Sequence, residues 1–504
     1  MSSSSNLPRL SDQTDDSRLT EILVDHGKDK DTPYIPEERE IGNLQDDGRQ
    51  ETVVEYKVYR RRFVGMAGVV LLNIVGGMSW PWFGPIANSM VDDWGITLTQ
   101  NSWLGNITAC LYLPVALIMP GLFARYGIRR CCDLGAVCLI IGGWMRYAGT
   151  APGLSSGSAY ALFIVGQAIT SISQTVYQVL APVYSEKWFD VRSRTTATMI
   201  CSIGLSPSPS MVYARANPIG SGLGQLISPL AGETKQSILV LAIISTAVVP
   251  AILLIQNEPP TPPTYAASQQ PPPFSEFLKG FLGKSKNPSM TTRNRIDFAI
   301  IAVVFGLLVA ATNSFSILTG SIMSPAGYDD DTSGLMGATL LLSGIAAAII
   351  ISPLMDRVFT KHLAITLKFF IPCLAGAWLS LIWAVKPGNT GGLFAIMAII
   401  GVTSVTMLPV GLELGCDVTQ NAEASSSLLW FAGNGLTIIF VLAEDGLRAG
   451  PDDFPPLHMR RSLIFQAVMV MVAVALTMCI RGKQVRKELD VQKAQEAAAI
   501  PMVP

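Results

Sequence analysis

The chain has 504 residues, of which 49% are hydrophobic and only 14% are charged, and its formal net charge is −1. Soluble domains usually carry about 25% charged residues, so this composition excludes an ordinary soluble protein of this length. A net charge near zero gives no basis for binding nucleic acid, and we expect no nucleic-acid partner.

Apolar runs of about twenty residues separate clusters of charge, and such a run crosses a hydrocarbon core of about 30 Å as a helix. We therefore predict an all-α membrane protein with twelve transmembrane helices in two six-helix bundles. The predicted spans are 63–89, 100–123, 131–150, 159–184, 195–230 and 236–256, then 297–322, 334–354, 363–385, 391–414, 424–443 and 462–480.

These spans divide the chain into five parts. Residues 1–56 are polar and predict a disordered cytoplasmic tail without a signal peptide. The two bundles occupy 57–256 and 297–480. A linker at 257–296, rich in proline and then basic, joins them, and 481–504 forms a second tail.

The distribution of Lys and Arg predicts the orientation, because cytoplasmic loops are enriched in positive charge. The loops on one side are acidic, with Asp92, Asp93 and 329–331. The basic side carries Arg60, Arg61, Arg62, Arg125, Arg129, Arg130, Lys187, Arg192, Arg194, Arg357, Lys361, Arg481 and Lys483. We expect a multi-pass protein of the plasma membrane, with both termini and the linker cytoplasmic.

One of these cytoplasmic loops occurs in two copies, after the second predicted helix of each half. The first copy contains Gly121, Arg125, Arg129 and Arg130, and the second contains Asp356 and Arg357. Both resemble the G-x-L-x-D-R-x-G-R-R signature of the major facilitator superfamily, in which small residues allow close helix packing and opposite charges form a gate. The first copy has Ala124 at the acidic position and the second lacks the glycine. Ordinary positive loops are the alternative interpretation.

A narrower resemblance rests on Trp80, the stretch 167–189, the run Asn217-Pro218-x-Gly220 and the run Glu413-x-x-x-Asp417-x-Thr419. Together these look like the feline leukaemia virus subgroup C receptor-related family, a branch of the major facilitator superfamily. The resemblance covers most of residues 57–480. It implies a major facilitator fold and the transport of choline, ethanolamine or heme.

The resemblance also implies five substrate-site residues, Trp80, Gln174, Phe315, Asn434 and Glu413. Aromatic faces at Trp80 and Phe315 would enclose a quaternary ammonium, each contributing roughly 0.5–2 kcal/mol. Gln174 and Asn434 would bond a substrate hydroxyl. Phe315 stands where the family has tyrosine, and the lost hydroxyl weighs against choline itself. Alternative roles are packing for the aromatic residues, helix–helix hydrogen bonds for the amides, and a structural partner of basic residues for Glu413.

Ionisable residues are scarce within the spans. Arg146, Lys368, Glu413 and Glu444 lie toward helix ends, and none suits a proton relay near the midplane. We therefore predict a facilitator driven by the gradient of its substrate. The three histidines and eight cysteines form no ligand cluster, so we expect no metal, no cofactor and no enzyme activity. The absence of His or Cys at depth favours an amine over heme.

Residues 195–230 are about twelve too many for one span. Pro207, Pro209 and Arg215 would break the helix and place a charge near the bilayer centre. Removing 204–215 leaves a span of normal length. We interpret 204–215 as an insertion peculiar to this sequence, such as a retained intron.

The sequence is compatible with three functions. The leading one is a monomeric carrier of a small organic amine that works by alternating access in the lipid bilayer. A carrier of heme or another organic anion is the second. A non-transporting membrane receptor on a transporter scaffold is the third.

Overall fold

The computed structural model of the chain describes residues 59, 61–188, 213–261, 274–284, 291–354, 363–419 and 422–481. The predicted N-terminal tail 1–56, the predicted C-terminal tail beyond residue 481 and most of the 204–215 segment lie outside the described residues.

Thirteen α-helices make up the described part of the chain, which contains no strand. They are α1 Arg62–Ser79, α2 Ala87–Trp94, α3 Leu98–Ala148, α4 Ser156–Trp188, α5 Tyr213–Leu230, α6 Thr234–Val248, α7 Phe274–Phe281, α8 Thr292–Met323, α9 Asp330–Leu354, α10 Leu363–Ala384, α11 Thr390–Thr419, α12 Ala422–Gly446 and α13 Arg460–Met478. Short 3₁₀ helices extend α6 over Val249–Leu254 and α8 over Ser324–Ala326.

The longest helix, α3, makes two passes across the bundle. Its 51 residues are interrupted at Gly127, where φ is +80°. Residues with a side chain rarely adopt that conformation, and the chain turns back at this glycine. The predicted spans 100–123 and 131–150 are therefore the two arms of α3, one on each side of Gly127.

Nine helices of this part of the chain are long and apolar enough to cross a membrane, with α3 counted once among them. The second arm of α3 and the helices α5 and α9 lie outside those nine, and with them the long helical segments number twelve. The prediction of an all-α membrane protein of the twelve-helix class is confirmed.

Helix α1 is shorter than its predicted span of 63–89. It ends at Ser79, and Pro81 and Pro85 follow in a run of turns before α2 begins. Proline lacks the backbone N–H that an α-helix needs, which accounts for the break. Trp80 lies directly at this break.

Helix α5 lies within the predicted fifth span, 195–230. It begins at Tyr213 and includes Ala214 and Arg215, the last residues of the predicted insertion 204–215. Pro218 and Pro229 both lie within it. The insertion stays a prediction, since 204–212 lie outside the described residues.

Each half of the chain buries its own hydrophobic core. One large cluster runs from Met66 to Ile255, and the other runs from Phe298 to Ile480. Trp80 belongs to the first half of the sequence but packs in the cluster of the second half. Trp80 therefore lies at the junction between the two halves.

The two ends of the bundle differ in charge. We call the end that carries Asp92, Asp93 and Asp329 the acidic end, and the end that carries Arg125 and Arg129 the basic end. Asp329 lies just before α9, where hydrogen bonding from Thr332 lowers the pKa of its carboxyl.

Candidate functional site

A cavity lies between the two halves, with about 1080 Å³ of empty space including the solvent it opens to. Its walls come from both halves. From the first half they include Trp80 and parts of α3, α4 and α5. From the second half they include parts of α8 to α12 and Ile480. The lining extends from Trp80 to Ile480, which lies beyond α13 near the basic end.

The wall of this cavity is aromatic and aliphatic with a few polar groups. No Asp, Glu, Lys, Arg or His occurs among the described residues that line it. Four aromatic side chains face it, two from each half: Trp80, Tyr112, Phe305 and Trp430. Faces of such rings attract cations, and a wall without basic groups does not repel them.

Trp80 is placed by the break after α1. Its side chain is 8% exposed, and its ring nitrogen Nε1 has no hydrogen-bond partner among the described residues. Trp82, two residues on, points into the core, where its Nε1 donates to Ser237 Oγ at 3.0 Å. Trp80 thus offers the cavity both a ring face and an unused donor.

The two amides expected at the site, Gln174 on α4 and Asn434 on α12, both line the cavity. Asn434 Nδ2 donates to the Trp430 carbonyl at 3.0 Å, which leaves its oxygen and its second N–H for a ligand. Gln174 lies against Gly76 of α1, where an added Cβ would come within 3.2 Å of the Gln174 backbone. The structure therefore brings Trp80, Gln174 and Asn434 to one cavity.

Three further amides were missed from the sequence: Gln178, Asn217 and Asn313. Gln178 follows Gln174 by one helical turn, so the spacing alone gave a signal. Asn217 belongs to the run noted before Gly220. Asn313 Nδ2 donates to Thr437 Oγ1 at 3.2 Å, which joins α8 to α12 beside the cavity.

Phe315 does not line the cavity, contrary to expectation. It is fully buried, with its ring 5.6 Å from that of Trp378 in an edge-to-face contact. Thr312 and Ser316, one turn apart on α8, face the cavity instead. Each residue turns a helix by about 100°, so Phe315 points away from the face that carries its neighbour. Phe305 supplies an aromatic surface from this helix, with Trp430 at 5.4 Å.

The remaining predicted residues lie elsewhere. Glu413 is part of α11, but its side chain is outside the described residues, as are Asp356 and Arg357. Gly121 faces open space, so it does not serve close helix packing in this conformation. Arg130 is exposed, and Arg125 lies over the ring of Tyr126 at 5.4 Å.

Arg129 ties the turn at Gly127 to the chain beyond α6. Its backbone N–H donates to Asn257 Oδ1 at 2.6 Å, and its Nη1 donates to the Ile255 carbonyl at 2.9 Å. Asp133 lies 3.6 Å from its Nε. These contacts join Arg129 to the first half and to the first residue of the linker, and none of them reaches the second half, so the described part of this loop makes a local brace.

The acidic end is closed by contacts between the halves. Asp445 of α12 accepts hydrogen bonds from Thr99 and Ser102 of α3. Ser89 of α2 donates to Asp330 of α9. The Gly320 N–H donates to the Gly84 carbonyl at 3.1 Å, so here two backbones touch.

Comparison with known proteins gives the context for this geometry. The family model described as Major Facilitator Superfamily matches residues 69–441. Solute carrier family 49 member A3 of Danio rerio is 25% identical over 406 residues, which is 80% of this chain and 81% of that protein. The human choline/ethanolamine transporter FLVCR2 is 22% identical over 454 residues, covering 87% of this chain and 82% of its own length.

Two solved structures share the fold at 12% sequence identity. A mutant of the nucleoside transporter NupG has a TM-score of 0.59 and matches over 82% of this chain and 99% of its own. The D-xylose-proton symporter has a TM-score of 0.58, over 84% of this chain and 99% of its own. At this identity the likeness concerns architecture alone.

Proposed function

Because this chain belongs to the major facilitator superfamily and is a transporter rather than an enzyme, we propose that it carries a small organic amine of the choline or ethanolamine class. The cavity between the halves is the proposed binding site. Alternating access then proceeds by rocking of the two halves around it.

One observation carries the proposal, namely a cavity with aromatic faces from both halves, several amides and no charged side chain among its described lining residues. A quaternary ammonium needs no counter-charge if aromatic faces surround it. Trp80 and Tyr112 approach from the first half, and Phe305 and Trp430 from the second. The amides Gln174 and Asn434 are proposed to bond the hydroxyl or amine at the other end of the substrate.

Proteins of similar sequence support the same class of substrate. The human protein FLVCR2 and its rat and zebrafish counterparts are choline/ethanolamine transporters that align with 87 to 89% of this chain. Heme or another organic anion is less well supported, because its carboxylates would need basic groups in the wall. Among the described lining residues no Lys, Arg, His or Cys provides them.

The transport is proposed to be facilitative. A proton-coupled carrier needs a titratable group that the substrate or the rocking motion can reach. Among the described residues the cavity wall offers no carboxylate or imidazole for this purpose. We propose that Glu413, on α11, contributes to the substrate site from the basic end.

We further propose that the chain acts as a monomer in the plasma membrane, with its termini in the cytoplasm. One chain is sufficient for the cavity, since both walls come from its own two halves. The closed acidic end then faces outward, and the basic loops that contain Arg125, Arg129, Arg130, Asp356 and Arg357 line the inner gate.

Uptake into proteoliposomes that contain the purified chain tests this function. Radiolabelled choline should enter above the level in empty liposomes, and a protonophore should leave the rate unchanged. Unlabelled ethanolamine or tetramethylammonium should compete, whereas hemin should not. Choline uptake equal to that of empty liposomes would reject the proposed substrate class.

A further inference from the structure

A fully buried arginine lies in the first half, away from the cavity wall. Arg146, near the end of the second arm of α3, has no exposed surface. Its Nη1 donates to Gln167 Oε1 on α4 at 2.6 Å. Its Nε and Nη2 have no hydrogen-bond partner among the described residues. A buried charge is costly unless paired, so its presence within a span points to a function.

The space around Arg146 is fitted to its side chain. A Cβ added at Gly166 of α4 would lie 2.8 Å from Arg146 Cγ. At Gly142, one turn before Arg146, an added Cβ would lie 2.3 Å from Thr170 Oγ1. Helices α3 and α4 therefore approach closely here, and the guanidinium has little freedom to leave Gln167.

Gln167 transmits this contact to the cavity wall. Its Nε2 donates to the Ser79 carbonyl at 2.9 Å and lies 3.5 Å from Thr108 Oγ1. Ser79 is the last residue of α1, where helical carbonyls lose their usual donors. Trp80 is the next residue, and Thr108 itself lines the cavity.

The chemistry of arginine fixes the direction of the amide. A guanidinium only donates hydrogen bonds, so the oxygen of Gln167 must face Arg146 and its nitrogen must face Ser79. The opposite orientation would bring two donors together at Arg146 and two acceptors together at Ser79. Arg146 thus selects the one orientation in which Gln167 holds the end of α1.

We propose that Arg146 is a positioning residue for substrate binding, which acts through Gln167 and the Ser79 carbonyl to set Trp80 in the cavity wall. This role of Arg146 rests on the transport function proposed above. The guanidinium does not touch the substrate, since Gln167 and the end of α1 lie between it and the cavity.

Fluorine NMR of the protein labelled with fluorotryptophan tests the positioning directly and needs no substrate. The Trp80→Phe and Trp378→Phe variants assign two signals. Arg146→Met should shift or split the Trp80 signal and leave that of Trp378 unchanged, because Trp378 packs on Phe315 in the other half. The control Arg460→Met, at an exposed position, should leave both signals in place.

The double variant Arg146→Met/Gln167→Met controls for misfolding of the single variant. It removes both polar partners together, which is far less disruptive than leaving one buried and unpaired. Ser79 still loses its donor, so the Trp80 signal should move in this variant as well. A Trp80 signal unchanged in both variants overturns the inference.

Choline uptake adds a kinetic readout. Arg146→Met should raise KM several-fold with a smaller change in maximal rate, whereas a merely structural defect lowers the amount of active protein and leaves KM alone. An unchanged KM in a chain that transports choline also overturns the inference. If the wild-type chain takes up no choline, the proposed substrate fails, and the Trp80 signal alone decides the role of Arg146.

Discussion

The hydroxyl of Ser102 donates a 3.0 Å hydrogen bond to the carboxylate of Asp445, and these residues belong to opposite halves of the chain. Thr99 donates to the other carboxylate oxygen at 2.7 Å. Arg448 forms an ion pair with the same carboxylate. Burial lowers the pKa of the Arg448 guanidinium, and the negative charge of Asp445 opposes that shift. The halves must separate here for the cavity to open at the acidic end, so these bonds stabilise the closed form.

Replacing Asp445 should weaken that closure. Hydrogen bonds to a charged group contribute on the order of 1–3 kcal/mol, so Asp445→Ala should shift the population toward a form open at the acidic end. Spin labels at Ser155 and Lys386, on acidic-end loops of the two halves, should show a longer distance. Asp93→Ala, at an exposed carboxylate, should leave the distances unchanged. Unaltered distances in Asp445→Ala would mean that this contact does not hold the gate.

The backbone contact between Gly84 and Gly320 makes a second prediction. A Cβ on Gly320 would lie 2.6 Å from the Gly84 carbonyl oxygen, closer than such atoms can approach. Gly320→Ala should therefore disfavour the closed form and lower the transport rate. Gly376→Ala is the control, because nothing lies within 4 Å of its added Cβ and alanine favours a helix by about 1 kcal/mol. Equal uptake rates for the two variants would contradict the close approach.

Asn434 should distinguish substrates that carry a hydroxyl from those that do not. Its oxygen is available to a ligand, and a neutral hydrogen bond contributes about 0.5–1.5 kcal/mol. Asn434→Ala should therefore weaken choline binding about 2- to 12-fold and leave tetramethylammonium binding unchanged. Competition against radiolabelled choline measures both affinities. An equal loss for the two ligands would indicate that Asn434 shapes the cavity without bonding the hydroxyl.

We expect Glu444 to stabilise the fold and to take no part in proton coupling. It is 1% exposed, its Oε1 accepts from Ser314 at 3.0 Å, and its carbonyl accepts from Ser462 at 2.6 Å. Glu444→Gln keeps the acceptor and should retain uptake. Glu444→Ala leaves the Ser314 hydroxyl only its longer 3.3 Å bond to the Ala311 carbonyl and removes a large buried side chain. It should destabilise the protein by about 1–3 kcal/mol, measured as a lower Tm in detergent. Loss of uptake in Glu444→Gln with a normal Tm would contradict the facilitative mechanism.

The spans were largely predictable because lipid imposes length and apolarity on every crossing. Their ends were less so. The break after Ser79 depends on Pro81 and Pro85, which the apolar run 63–89 conceals, and the turn at Gly127 depends on one positive φ. In both places a local backbone property overrides the average hydropathy.

The site was predicted in part. Trp80, Gln174 and Asn434 share a cavity, but Phe315 is buried against Trp378, because a shift of one position on a helix changes the face. Arg146 and Glu444 were correctly expected near helix ends, but their complete burial depends on which helix faces meet. The pattern of one sequence does not determine which helix faces pack together. The link from Arg146 to Trp80 therefore could not be found from the sequence.

The segment 204–215 is a third place where sequence alone does not fix a helix end. Its composition predicts an insertion, and its last residues, Tyr213, Ala214 and Arg215, lie in α5. An apolar span of normal length can be drawn with or without them, so hydropathy does not decide where the helix starts. Residues 204–212 lie outside the described residues, and the retained-intron interpretation stays a prediction that messenger RNA sequencing can test.

Choline binding to the purified chain, with and without the Trp80 ring, tests the central claim most directly. Removing one cation–π contact of about 0.5–2 kcal/mol should raise the Kd of Trp80→Ala about 2- to 30-fold, with Trp80→Phe in between. Trp144→Ala, at an exposed tryptophan bonded to Thr246, should bind like the wild type. A Kd for Trp80→Ala equal to that of the wild type would contradict an aromatic amine site in this cavity.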